Sequence, residues 1–305
     1  MIDKFNFYDI YGYFLPGLAL LGVLWLPFGV VGHNWPPASW STAIVGAAFA
    51  YILGHLLQSV GSRDLPSTIK KGREGRARYP SDMALDKDSE LPAPLRLKIE
   101  SLFRDQFNLD LAVDADPDKA IDKRRNVAFL LARQVLIREK TAGYAEQFQG
   151  MYALTRGLFV VLAVGSSYWL GWAGSIARTA HLLGGAVILL TVTLLFVINV
   201  SILRVYPPPS LPGGEEPNWW TGMRSIGLWT FLIGFLSAGY LLGLKYAVTG
   251  STCVVLVVLS AIGLLGSLRI YGAYKGFAQL FAATVWRGFL AYQVKIGEGS
   301  AIGKK

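Results

Sequence analysis

Residues 10–31 read IYGYFLPGLALLGVLWLPFGVV, without one Asp, Glu, Lys or Arg. A helix needs about 20 mostly apolar residues to cross the hydrocarbon core of a bilayer. Ile10–Val31 therefore predicts a membrane span. Five more stretches of the same kind follow, at 40–60, 154–172, 180–203, 225–244 and 251–268. No charge falls in the central part of any of them, and Arg156 stands at the edge where the third begins. The whole chain of 305 residues is 53% hydrophobic and 16% charged, where a soluble domain carries about 25% charged residues. The predicted fold class is all-α: a polytopic membrane protein of about six spans, with both termini on one side.

That composition excludes disorder and a collagen-like fibre. A single cysteine excludes an internal disulfide, and three histidines leave little for a His-rich metal site. The net charge of +9 alone would suit nucleic acid. Its placement suits a membrane better. With the N-terminus cytoplasmic, the inside segments hold 27 of the 29 Lys and Arg, and only Arg178 and Lys245 lie outside. The positive-inside rule then sets N-in, C-in. Basic residues facing anionic headgroups need no nucleic acid, and no nucleic-acid-binding motif is present. Asp3, Lys4 and Asp9 give no positive n-region and no small-x-small site follows, so the first span reads as a retained anchor. Trp35, Trp40, Trp169 and Trp172 outside, with Trp219 and Trp220 inside, are expected at headgroup level.

Four regions follow: a transmembrane hairpin over 1–61, a cytoplasmic helical domain over 62–150, a four-span region over 151–270, and a cytoplasmic amphipathic helix with a tail over 271–305. Between Arg63 and Arg78 six basic residues face Asp64 and Glu74, and this stretch is expected against the inner leaflet. Apolar residues Leu95, Ile99, Leu102 and Phe103 recur at helical spacing and predict a helix over about Ala93–Phe107. A second helix is expected from about Ala120 to Gln149, able to run on into the third span. Asp116, Pro117 and Asp118 would start it. In the C-terminal segment Phe277, Phe281, Val285 and Phe289 recur every four residues. That helix either lies in the membrane interface or docks on the soluble helices. Glu298–Lys305 reads as a flexible tail.

Chemistry is sparse. Asp114, Asp116, Asp118 and Asp122 imitate half a calcium loop, but Lys119 stands where Gly is needed and Arg125 where the bidentate Glu is needed. No P-loop, G-x-S-x-G, H-E-x-x-H or Cys/His metal spacing occurs. The reading is a non-enzyme without cofactor or metal. His55, Gln58 and Asn199 occupy similar depths on their spans and could form one polar cluster that joins helices. Polar groups left unpaired in lipid cost several kcal/mol each. Small residues at Gly234, Gly239 and Gly243 allow close helix packing, as in a pore made by several copies of a homo-oligomer.

The opening Phe5–Gly17 stretch, with Tyr8-Asp9, Gly12-Tyr13 and Pro16-Gly17, resembles a loose group of bacterial multi-pass membrane proteins. The Ala50–His55 ending of the second span and the Tyr152-x-x-x-Arg156 start of the third are similar to theirs. Some genes of that group accompany phage-defence systems, so the resemblance implies a membrane subunit that signals or disrupts at the inner membrane. It supplies no catalytic residue. Tyr8, Asp9, Tyr13, Arg156, Phe277, Phe281 and Phe289 are the candidate docking surface for a cytosolic protein partner. The expected function is a membrane effector or scaffold, self-associating, whose soluble part senses that partner. The alternative is a channel or small-solute transporter.

Overall fold

The computed structural model describes residues 7–32, 39–64, 70–71, 77–78, 81, 84–86, 89, 91–111, 120–175, 218–245 and 250–302. Among them stand seven α-helices: α1 Leu15–Val30, α2 Trp40–Asp64, α3 Ala93–Phe107, α4 Ala120–Arg138, α5 Gly143–Gly174, α6 Asn218–Lys245 and α7 Gly250–Ile302. A π-helical turn, Asp9–Phe14, leads into α1. One minimal antiparallel ladder joins β1, Lys70–Lys71, to β2, Ala77–Arg78, with Lys70 opposite Arg78. The chain divides into two compact units, 1–66 with 153–274, and 67–152 with 275–305.

Among the described residues four helical stretches are long and apolar enough to cross a membrane: Asp9–Val30, Trp40–Gly61, Gly143–Gly174 and Ser251–Ile296. They are the counterparts of four of the six expected spans. The stretch 180–203 lies outside the described residues. The stretch 225–244 falls within α6, where the described apolar part is the shorter Leu232–Lys245.

Local signals explain most helix ends. Pro16 sits in the first turn of α1, where a missing N–H costs little. Gly32, at φ +88°, stops the same helix in the left-handed region that glycine tolerates. The Ser39 hydroxyl accepts the Thr42 N–H at 3.2 Å and caps α2. Asn108, at φ 52°, ends α3, with the Leu109 N–H closing back on the Phe103 carbonyl at 3.1 Å.

Two expectations change. The helix from Ala120 does not run to Gln149. It stops at Arg138, because Lys140 takes φ 55° and the Thr141 N–H bonds the Leu136 carbonyl at 2.9 Å. This is a Schellman-type stop, and α5 restarts at Gly143. The C-terminal amphipathic helix is not separate from the last span either. Both belong to α7, which continues through Glu298 to Ile302.

In the first unit α5 is the post around which the others pack. Most of its apolar stretch is buried, unlike those of α1, α2 and α7. Phe159, Val160, Val161 and Val164 meet Leu20, Leu57 and Leu232. Close approaches are made at glycine. A Cβ on Gly17 would overlap the Ala50 carbonyl, and one on Gly54 the Tyr13 carbonyl. Gly239 and Gly243 of α6 are pressed in the same way against Tyr168 of α5 and Ser175 just past its end. The Ser260 hydroxyl of α7 donates to the Ser166 carbonyl at 2.8 Å. Trp169 and Trp172 are buried core residues. Trp40 is 88% exposed.

The second unit has its own core. Ile99 and Phe103 of α3, Phe129 and Leu136 of α4, and Trp286 and Phe289 of α7 fill it. Phe103 and Phe129 both meet the Trp286 ring edge-on, at 5.8 and 5.7 Å. The 275–296 part of α7 therefore packs on α3 and α4. Arg125 is fully buried here. Its Nη1 donates to Asp86 Oδ1 at 2.9 Å, its Nε to the Leu111 carbonyl at 3.2 Å and its Nη2 to the Leu85 carbonyl at 3.3 Å. Residues 85, 86 and 111 are thus tied to α4 by one cation.

Candidate functional site

One proline in the first span sets up part of the site. In an α-helix the carbonyl of residue i accepts the N–H of residue i+4. For Val23 of α1 that residue is Pro27, and proline has no N–H to give. Gly12 lies in the π-helical turn, where bonds run from residue i to i+5. Both carbonyls accept a side-chain donor from another helix. Gln58 of α2 donates its Nε2 to the Gly12 carbonyl at 2.6 Å. Trp169 of α5 donates its Nε1 to the Val23 carbonyl at 2.8 Å.

Gln58 then extends the network. Its Nε2 also bonds the Ala153 carbonyl at 2.7 Å, and its Oε1 accepts from Arg156 Nε at 2.7 Å. Arg156 reaches Tyr8 as well, Nη2 donating to the hydroxyl at 3.5 Å. Both Gln58 and Arg156 are buried. One amide and one guanidinium thereby fasten the π-helical turn, α2 and α5 together. The neighbours are trimmed to fit: a Cβ on Gly157 would press on Pro16 at 2.7 Å, and one on Gly61 would touch Arg156 Cγ at 3.0 Å.

The remaining candidates spread over several places. His55, one helical turn before Gln58, is exposed. Its ring stacks on Tyr13 with centroids 3.7 Å apart and meets Tyr51 edge-on at 4.7 Å. Tyr13 in turn meets Tyr8 edge-on at 5.3 Å. The expected grouping of His55 with Gln58 is thus divided between an aromatic stack and a buried polar network. Asn199 lies outside the described residues. Asp9 is half-buried and opens the π-helical turn. Phe277 is half-buried, Phe281 packs edge-on to Phe129 at 5.7 Å, and Phe289 is fully buried against Phe103. The last two serve the second unit's core.

Among the described residues no group of three His, Cys, Asp or Glu could hold a metal ion. Cys253 is half-buried with its thiol 3.5 Å from the Ala173 carbonyl. The arrangement braces helices; it presents no nucleophile beside a base. In the second unit Glu100 is the one carboxyl with a clear shift among the described residues: burial pushes it above the usual range. The guanidiniums of Arg125, Arg96 and Arg104 pull the other way, and Asp110 adds to the rise.

The sequence pointed to Gln58 and Arg156 but not to their pairing. It missed Trp169 as a donor and Arg125 as a buried tether. The signal for Trp169 was available in Pro27, whose missing N–H announces an acceptor in need of a partner. No protein-family model matches the chain, and no curated protein or solved structure matches it either.

Proposed function

We propose that this chain is a non-enzymatic membrane effector or scaffold of a bacterial inner membrane, with both termini cytoplasmic and a helical cytosolic unit that senses a protein partner. Six spans and self-association belong to the same reading. The opening motif's resemblance adds phage defence as the setting. One observation carries it: α5 and α7 each supply residues to both units. Helix α5 gives 143–152 to one and 153–174 to the other, and α7 gives 275–302 to one and 250–274 to the other. A partner that shifts either helix in the second unit acts on a continuous backbone that enters the apolar unit. The brace of Gln58 and Arg156 begins four residues along from that point on α5 and fixes α2 and the π-helical turn to it.

The test is membrane potential in cells that express the chain with its neighbouring genes, challenged with phage. The reading expects depolarisation or permeability change on challenge, lost in Arg156→Ala protein that still inserts. An unchanged potential with every neighbouring gene supplied would refute it.

A further inference from the structure

Helix α4 is apolar on two sides. One side, with Ala128, Phe129, Ala132 and Leu136, is buried in the second unit's core. The other carries Val127, Leu130, Leu131 and Ile137, which stay 36% to 52% exposed. Their spacing places them on one face of the helix, with exposed Gln134 among them. A contiguous apolar stripe left facing outward marks an interaction surface.

Two occupants compete, and width and charge decide between them. A stable protein interface takes roughly 20–30 residues a side. Four side chains on a helix whose opposite face is already used are too few for a second copy. A lipid surface asks for less, since inserted apolar side chains and attraction to anionic headgroups act together. The charge fits. Apart from buried Arg125, residues 120–142 hold five Lys and Arg against Asp122 and Glu139. Arg138 is 85% exposed and sits 3.9 Å from Glu139, a loose pair. The position in the chain fits as well. Only residues 139–142 separate α4 from α5, a helix long and apolar enough to cross a membrane. Tyr144, in the first turn of α5, is 76% exposed, as suits a ring at headgroup level.

We infer that the outward stripe of α4 docks on an anionic lipid surface, with Val127, Leu130, Leu131 and Ile137 in the acyl boundary and Arg138 and Lys140 at headgroup phosphates. This goes beyond the effector reading and requires only that the chain be membrane-embedded.

The full chain with Cys253→Ala and Leu130→Cys, labelled with an environment-sensitive fluorophore, tests it in nanodiscs holding one copy each. Discs of phosphatidylcholine alone are compared with discs containing phosphatidylglycerol. The expected result is blue-shifted emission and quenching by acyl-chain nitroxide lipids in the anionic discs. Arg138→Gln with Lys140→Gln should weaken the docked state roughly tenfold or more, and high salt should do likewise. Gln134→Cys gives a second probe on the same face that removes no apolar contact. Emission that is the same in both lipids and insensitive to nitroxide overturns the inference. So does a shift seen only in discs loaded with two copies, with unlabelled Leu130→Cys chains cross-linking there through their free thiols, which would give the stripe to a second copy.

Discussion

Gln58 and Trp169 each offer a side-chain N–H to a backbone carbonyl of another element, Gly12 in the π-helical turn and Val23 in α1, and the second is one that Pro27 cannot serve. Interhelical hydrogen bonds in membranes are worth roughly 0.6–2 kcal/mol. Trp169→Phe keeps the ring and removes the donor, so it should cost about that much in denaturant titrations of the detergent-solubilised chain. Pro27→Ala restores the backbone N–H to the Val23 carbonyl. In that background Trp169→Phe should cost less than half as much, and equal costs in both backgrounds would refute the proline argument. Gln58→Leu removes three bonds and strips a partner from buried Arg156, for which about 1–3 kcal/mol or more is expected by the same measurement. Glu100 makes a prediction about pH. Its folded-state value lies above its unfolded one, so the stability it contributes is present at low pH. That stability is lost as pH rises through the folded value. Hydrogen exchange of α3 amides should therefore quicken from acid toward neutral pH beyond its intrinsic trend, and Glu100→Gln should flatten the change and slow exchange at neutral pH. Pro27 was legible in the sequence, and so was the need for polar groups to pair. Which side chain answers was not, because Gln58 and Trp169 lie 46 and 146 residues from the carbonyls they serve.

At the scale of elements the alternation of signals explains what could be read. Helix α3 has the bounds expected for it, since proline opens it and the Leu95–Phe103 pattern supplies its face; Ile99 and Phe103 are fully buried and Leu95 is the exposed margin. The stop after Arg138 was invisible, since Lys140 carries no bias toward positive φ and neither glycine nor proline marks the turn. The join of span and C-terminal helix in α7 was invisible for the opposite reason. Polar residues at Arg269 and Lys275 looked like a boundary, yet neither breaks a helix. Trp169 and Trp172 show a third limit, as an amphipathic ring suits a headgroup belt and a core equally. Glycines allow a sharper test. Gly54→Ala places a methyl on the Tyr13 backbone, and Gly243→Ala places one against Ser175 and the Trp172 carbonyl, 2.8 Å away. Overpacking of this kind costs about 1–3 kcal/mol. A methyl at Gly234 would meet nothing within 4 Å, so Gly234→Ala should be neutral or slightly stabilising. Equal behaviour of all three in detergent unfolding would mean that α1, α2, α5 and α6 do not pack as described.

For the whole molecule the consequence of two shared helices is that the second unit cannot be altered without touching backbone that continues into the first. Helix α7 makes this testable at one position. Gly276 lies two residues past the division at Tyr274, and no side chain would crowd a substituent there. Proline at 276 removes an N–H and clashes with the carbonyl one turn back, a local penalty of about 3 kcal/mol that kinks or breaks the helix. The cores on either side are untouched: Leu256 and Leu264 pack in the first unit, Trp286 and Phe289 in the second. Gly276→Pro protein should therefore still insert and should keep the Trp286 cluster protected from protease. Under the effector reading proposed above, the change in membrane potential on phage challenge should fall several-fold. Gly276→Ala, which favours helix by up to about 1 kcal/mol, should preserve it. A response that survives the proline with both units folded would show that the signal does not travel through α7, and Tyr152→Pro would then put the same question to α5, with Gly143→Pro, in a first turn that tolerates proline, as its control.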